Sequence, residues 1–287
     1  MSYYFDNKNI LSGPTVKQQD SHMVMGGVIK PLKERIVSID TKFRKDIFNF
    51  FADVNLIFDE KITEVKSIEV DTIDIPMSFF NIRDATFDIT KSSVLHTVTL
   101  MPGFYSNTAA VASEINTKLT DIGVGFAATD ISFNVNGGKG VFSTTSDTFD
   151  ISFNGGKSGL GWLLGFRANS YTIQSSSKTA TSEGVVLLKY PRHIYVALNE
   201  FSTSNVNSFH IHSSLNKNII ARVSVPDTGF GTTITATHGN GFLVSEVRRY
   251  LEKINIQRMN LQLLDENFNV INLNGGDFSI TLRLVCE

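Results

Sequence analysis

Several sets of side chains in this sequence belong to types used in catalysis or ligand binding. The first is the triplet Gly156-Lys157-Ser158. A phosphate-binding loop with this ending needs a glycine five positions earlier, so that backbone N–H groups can wrap the phosphate, and it needs a helix directly afterwards. The earlier position is Ile151, and the following segment is short and rich in glycine. The triplet therefore predicts a hairpin turn and not a nucleotide site.

A second set is a pair of histidines, His210 and His212. Residues two apart on a strand share a face, so both imidazoles would point the same way. Zinc sites require three or four ligands in tetrahedral geometry, and although His193 or His238 could supply a third, nothing in their spacing requires it. The pattern favours two histidines on a solvated strand face, and we predict no metal and no cofactor.

Acidic residues form the third set, as the pairs Asp71/Asp74 and Asp265/Glu266. A glycosidase needs two carboxylates that face each other across a cleft, about 5–10 Å apart, and a sequence does not show such a distance. Asp265 and Glu266 lie in a predicted turn, where acidic side chains serve the backbone. A Ser-His-Asp triad stays open in principle, but no Gly-x-Ser-x-Gly elbow is present. We therefore predict no enzyme activity and assign no catalytic residue.

Composition narrows the class of protein further. The chain has 287 residues, of which 41% are hydrophobic and only 19% are charged, so much of its surface is suited to contact with other protein. The formal net charge of -2 gives no electrostatic case for nucleic acid. Basic residues do cluster near the N-terminus, but the acidic residues Glu34, Asp40 and Asp46 lie among them and reduce the local positive charge. We interpret this segment as solvated or partner-facing. The basic residues are Lys30, Lys33, Arg35, Lys42, Arg44 and Lys45.

Targeting signals are not evident in the sequence. The first ten residues contain no apolar stretch, which predicts no signal peptide, and no run approaches the ~20 apolar residues of a membrane span. The single cysteine, Cys286, has no intrachain partner for a disulfide, which is typical of a reducing compartment.

Strand and turn patterns dominate the chain. Residues 65–75 alternate between apolar and polar with two slips, which indicates a strand with a bulge that ends at Pro76. Asn136-Gly137-Gly138 is a strong hairpin signal. The clearest helix covers residues 108–119, with Asn107 or Thr108 as its cap. We predict a mainly β fold: a jelly-roll-like β-sandwich with an inserted small α/β sub-unit that contains one helix.

Three regions follow from these patterns. Residues 1–35 show no sustained period and contain Gly13-Pro14 and Gly26-Gly27, so they are predicted to be an extended N-terminal arm, either disordered in isolation or ordered on a neighbour. Residues 36–287 are predicted to form the β-sandwich. The helix-containing sub-unit is expected at about residues 100–168.

Three stretches, taken in their order along the sequence, resemble a group of structural proteins of nucleocytoplasmic large DNA viruses. The first comprises residues 37–44 (VSIDTKFR), 65–69 (VKSIE) and 73–82 (IDIPMSFFNI). The second comprises residues 100–105 (LMPGFY), the helix through Ile115-Asn116, and residues 163–166 (LLGF). The third comprises residues 261–267 (LQLLDEN) and 273–282 (LNGGDFSITL), which look like the closing hairpin of the family.

The resemblance implies a minor capsid or penton-like protein, beneath or between the major capsid units, and it carries no catalytic residues. It implies as partners the major capsid protein, other capsid proteins and further copies of the chain, with no nucleic acid and with a viral membrane nearby. The implied location is the virion, after assembly in the host cytoplasm.

Two other functions remain open from the sequence. One is a carbohydrate- or receptor-binding β-sandwich of a viral fibre or tail, for which Trp162 and Tyr171 are the candidate contact residues, although the apolar run around Trp162 predicts that its side chain is buried. The other is a hydrolase on a β scaffold, which requires a cleft near His210 and His212 or near an acidic pair.

Overall fold

A computed structural model defines the fold. It describes residues 31–83, 85–123, 126, 130–145, 147–154, 156, 159–201, 218–227 and 229–287. Fifteen strands and two α-helices lie in these ranges, together with a short 3-10 helix at Thr41–Phe43. The strands of the main sheet are β1 (Lys33–Asp40), β2 (Asp53–Pro76), β10 (His193–Asn199), β11 (Ile219–Ser224), β12 (Thr233–Thr237), β13 (Leu243–Ser245), β14 (Arg248–Leu264) and β15 (Ser279–Cys286).

The main sheet is antiparallel and has eight strands. Seven follow the order β1-β15-β2-β14-β10-β11-β13, and β12 pairs with β2. The sheet is therefore built from the two ends of the chain, with β1 at one edge and β13 at the other. The first core lies against it and contains the alternating side chains of β15, which are buried at Ile280, Leu282, Leu284 and Cys286.

Strand β2 has to curl. Its 24 residues would extend about 80 Å if they were straight. Its ends nevertheless lie beside one segment, because Phe51 bridges to Asn272 and the Asn274 amide donates to the Ser78 carbonyl at 2.6 Å. The pairing with β14 shifts register three times between Arg249 and Arg258, and Glu64 takes a positive φ of 57°. Bulges of this kind bend a paired ribbon, so the sheet folds over its own core.

Residues between β2 and β10 form two smaller sheets. The first has the order β4-β3-β7-β8 and the second the order β5-β6-β9. Their strands are β3 (Thr86–Lys91), β4 (Val94–Thr99), β5 (Ile131–Asn136), β6 (Lys139–Thr144), β7 (Phe149–Phe153), β8 (Ser170–Ile173) and β9 (Thr179–Thr181), and the helices are α1 (Thr108–Asp121) and α2 (Leu160–Leu163).

A second core, distinct from the first, lies between these sheets and α1. It runs from Ile82 to Ala180 and includes the helix side chains Val111, Ile115 and Leu119. Its centre is aromatic: the ring of Phe142 lies 4.8 Å from that of Phe133 and 5.8 Å from that of Phe166. Such tilted ring pairs add roughly 0.5–1.5 kcal/mol beyond the area that they bury.

The predicted fold class is confirmed. The chain is mainly β, and its curled antiparallel sheets are consistent with a jelly-roll-like sandwich that carries a helix-containing insertion. The predicted helix is present as α1, and the side chain of Asn107 caps it by accepting from the Ala110 N–H at 2.9 Å. The predicted hairpin joins β5 to β6, with Gly137 and Gly138 both at positive φ.

A buried carboxylate joins the two cores. Asp265, which follows β14, has no exposed side-chain surface and accepts from Arg83 Nη2 at 2.8 Å and from the Tyr190 hydroxyl at 2.9 Å. Its other oxygen accepts the backbone N–H groups of Asn267 and Asn269 at 2.8 and 3.0 Å. Arg83 and Tyr190 lie at the two connections between the sheets, so one carboxylate fixes both.

Asp265→Ala should destabilise the protein by about 3–5 kcal/mol, because Arg83, Tyr190 and two backbone donors would lose a buried ionic acceptor. Chemical denaturation followed by fluorescence would measure this loss. Asp59→Ala removes an exposed carboxylate of β2 and should change stability by less than about 0.5 kcal/mol. Equal stability of the two variants would contradict the assigned role of Asp265.

Candidate interaction surface

The two most exposed large apolar side chains in the described part of the chain lie between β1 and β2. We name residues 43–51 the phenylalanine loop. Phe43 and Phe48 expose 82% and 80% of their surface, and Ile47, Phe50 and Phe51 expose more than half of theirs. Large exposed apolar patches on a folded protein typically mark interaction sites, since soluble monomers rarely keep them.

Hydrogen bonds hold the first half of this loop against the main sheet. Thr41 donates through its backbone N–H and its hydroxyl to the Phe278 carbonyl, both at 3.0 Å, and its hydroxyl accepts from the Phe278 N–H at 2.9 Å. Arg44 forms an ion pair with Asp277, and the Asp46 carboxylate accepts from the Phe48 N–H at 3.1 Å. The exposed rings therefore project from an anchored backbone.

The second half of the loop is anchored by backbone contacts. The Leu273 N–H donates to the Phe50 carbonyl at 2.8 Å, and the Ala52 N–H donates to the Ile271 carbonyl at 2.9 Å. The ring of Phe50 also lies close to Gly275, where a Cβ atom would sit 3.4 Å from it. An interface that uses this loop would lose little entropy in ordering it.

The edge of the sheet continues this surface. β1 pairs with β15 on one side, and within the described residues no strand covers its other side. Leu32 and Ile36 expose 61% and 69% of their surface along this edge, which leads directly into the 3-10 helix and the phenylalanine loop. An open edge offers N–H and C=O groups to a strand from another chain.

The acidic pairs have structural partners. Asp71 pairs with Arg283 at 2.6 Å, and Asp74 accepts from the hydroxyls of Thr235 and Ser279 at 2.6 and 3.1 Å. Asp265 joins the two cores as described above. Glu266 forms a bidentate pair with Arg192, which lowers the pKa of that carboxyl although burial opposes the shift. All four of these carboxylates therefore have hydrogen-bond or ion-pair partners within the described chain.

The remaining candidate residues are spread over the molecule. His210, His212, Lys157 and Ser158 lie outside the described residues. His193 begins β10, and the ring of His238 lies 3.2 Å from the Val70 carbonyl. Among the residues that the structure describes, no three His, Cys, Asp or Glu side chains are grouped as metal ligands would be. Nor does any α-helix there have the length and apolarity to cross a bilayer.

One expectation about the aromatic residues is wrong. The apolar run around Trp162 predicts a buried side chain, but Trp162, on the four-residue helix α2, exposes 37% of its surface. The guanidinium of Arg167 lies 3.9 Å from the centre of the indole ring. Tyr171, in contrast, is half-buried, and its hydroxyl donates to Glu183 and accepts from the backbone of Arg167 and Ala168.

The phenylalanine loop was not singled out from the sequence. β2 begins at Asp53, which leaves Phe50 and Phe51 exposed before it. The available signal was the combination of four phenylalanines within nine residues with the lack of any period of 2 or 3.6. Apolar residues without a period do not fit one face of a strand or helix.

No family model and no curated protein matches the chain. Among solved structures, the crystal structure of the selenomethionine-labelled mavirus penton protein is similar to it, with a TM-score of 0.48 and 15% sequence identity. That alignment covers 90% of this chain and 100% of the mavirus chain.

A histidine in a cationic environment gives the fold a pH dependence. Partial burial lowers the pKa of His193, and Arg222, Arg192 and Lys189 lower it further, while Glu266 opposes them. Its Nδ1 atom is buried without a hydrogen-bond partner in the described chain. Because the folded-state pKa lies below the unfolded value of about 6.5, this contribution to stability is present above pH 6.5 and is lost as pH falls through the folded pKa.

We therefore expect the free energy of unfolding to decrease between pH 7.5 and pH 5, and to decrease less in His193→Gln, which stays neutral. Denaturant titrations at several pH values would measure both slopes. Glu266 contributes little to the slope over most of this range, because a carboxyl with a depressed pKa loses its stability contribution as pH falls through and below the ordinary titration range of a glutamate. Identical slopes for the two proteins would contradict the role of His193.

Proposed function

We propose that this chain is a structural component of an icosahedral virus capsid, a minor capsid or penton-like protein that acts through protein–protein contacts and not through catalysis. The observation that carries the proposal is the phenylalanine loop, which is apolar, exposed and anchored beside the open edge of β1. The resemblance of three ordered sequence stretches to structural proteins of large DNA viruses supplies the context.

The energetics of the loop suit a permanent contact. Burying a phenylalanine side chain contributes roughly 1.5–3 kcal/mol, so Phe43 and Phe48 together provide several kcal/mol to a neighbour that covers them. The loop contains no glycine or proline, and its backbone is bonded at both ends. We propose the major capsid protein, other capsid proteins and further copies of this chain as the neighbours, in a virion assembled in the host cytoplasm and close to a viral membrane.

The N-terminal arm would provide a second contact with a neighbouring subunit. In this proposal residues 1–35 are an arm that binds a neighbouring subunit, and residues 36–287 are the body, with the helix-containing sub-unit at about residues 100–168. The described part of the arm continues into β1, which pairs with β15. A neighbour bound by the arm would therefore be attached directly to the main sheet.

Phe43→Ser combined with Phe48→Ser should weaken association with the capsid neighbours at least tenfold per side chain, because each loses its burial energy. Co-expression with the major capsid protein of the same virus, followed by measurement of incorporation into particles, would test this. Leu95→Ser is a matched control, since Leu95 is 61% exposed on β4, away from the loop. Incorporation of the double variant at the level of the control would contradict the proposal.

Removal of residues 1–30 tests the arm separately, because it leaves β1 whole. The shortened chain should keep its thermal transition and should lose incorporation into particles. Unchanged incorporation would remove the arm from the proposal and would leave the phenylalanine loop as its basis.

A further inference from the structure

The exposed indole of Trp162 lies in a groove at the junction of the two cores. The groove has a volume of about 420 Å³, within the range of small-molecule sites. Its main side chains are Trp162, Arg167, Leu187, Lys189, Arg192 and Glu266. It is separate from the phenylalanine loop, since no residue of that loop lines it.

Three segments build this groove, and they are bonded to each other. The Leu187 N–H donates to the Leu163 carbonyl at 2.8 Å, which joins the returning chain to α2. Arg192 pairs with Glu266 through two of its nitrogens, at 3.1 and 2.7 Å. Between them, Tyr190 is held by Asp265, whose carboxylate is fully buried. The shape of the groove is therefore preformed and does not depend on a ligand.

The charge of the groove is opposite to that of the whole chain. Its lining includes the cations Arg167, Lys189 and Arg192 and one carboxylate, Glu266, although the chain carries a formal net charge of -2. Arg192 is neutralised by Glu266, and Arg167 lies beside Glu183, whose carboxylate accepts from the Arg167 backbone N–H at 3.0 Å and, although burial opposes the shift, has its pKa lowered in part by the Arg167 charge. Lys189 forms no ion pair with a carboxylate in the part of the chain that the structure describes, so the groove keeps a net positive charge that attracts an anion.

Arg167 is held in place with a donor to spare. Its Nη1 donates to the carbonyls of Trp162 and Phe166 at 2.9 and 3.2 Å, and its plane lies over the indole. Its Nη2 lies against Gly184, where a Cβ atom would sit 2.7 Å from it, so Nε, which makes no hydrogen bond within the described residues, is the donor left to bind an anion. Planar guanidinium groups match carboxylate and related oxyanions better than an ammonium group does.

We infer that this groove binds an acidic saccharide, in which a carboxylate or sulfate group contacts Arg167 and Lys189 while a sugar ring lies against Trp162 and Leu187. Arg167 covers one face of the indole, so Leu187 and the part of the indole that stays exposed provide the apolar contact for the carbon side of the ring. Asn267, also in the lining, donates through its amide nitrogen to the Tyr190 hydroxyl at 2.8 Å, and its amide oxygen supplies an acceptor for hydroxyl groups. This site does not require the capsid role.

Calorimetric titration of the full chain with a sulfated hexasaccharide tests the site. Binding should be measurable at low ionic strength, should weaken as salt is added, and should be absent for an uncharged hexasaccharide. Lys189→Glu and, separately, Trp162→Ala should each weaken binding about tenfold or more. Lys61→Glu, an exposed lysine of β2, is the matched control and should retain the affinity.

Thermal denaturation of each variant verifies that the fold is kept, and Lys189→Glu carries the test if Trp162→Ala unfolds. Absence of binding by the unaltered chain would overturn the inference. Equal weakening by Lys61→Glu would also overturn it, since attraction would then be to the general surface. Tighter binding of a poly-glutamate peptide than of the saccharide would overturn it in favour of an acidic polypeptide.

Discussion

The bend of the β2–β14 ribbon is the constraint on which the rest of the structure depends. A strand of 24 residues paired with one of 17 cannot stay straight and still bury a shared core, because its length of about 80 Å far exceeds the width of a small domain. Three register shifts and the positive φ of Glu64 concentrate the bend, and both ends of β2 return to the segment at residues 272–278. Everything that joins β2 at its ends is consequently gathered at one end of the sheet: the phenylalanine loop before it and the insertion after it.

This arrangement explains how the phenylalanine loop can be ordered although its rings are exposed. The chain closes the end of the sheet with backbone and polar contacts, through Thr41 with Phe278 and Phe50 with Leu273. The first core is already filled there by Ile39, Ile271 and Phe278. Within the described part of the chain, the rings of Phe43 and Phe48 are thus held in solvent by an ordered backbone.

Much of the fold could be predicted from local patterns, but its long-range contacts could not. The two slips in alternation at residues 65–75 indicate the irregular strand that is observed, and Asn107 signals the start of α1 because both features act within a few residues. Asp265 was assigned to a turn, and it does bind its own turn through Asn267 and Asn269. Its half-buried partners Arg83 and Tyr190 are 182 and 75 residues away, and no local pattern relates them. The exposure of Trp162 was missed for the same reason, since the apolar run around it shows hydrophobicity but not that α2 is only four residues long.

The two surfaces differ in the kind of contact that their chemistry favours. The phenylalanine loop gains energy from removal of apolar area from water, which is insensitive to salt and increases with the area covered, so it suits a large and lasting interface. The groove at Trp162 has fixed charges and a small volume, and its attraction is screened at moderate ionic strength, so it suits a small ligand that binds reversibly. The groove lies where the insertion meets the main sheet, and its shape is fixed by Asp265 and Glu266, which hold the cores together. A chain fixed in a shell through its phenylalanine loop would therefore keep the groove in the same form, because no residue that builds the groove belongs to the loop.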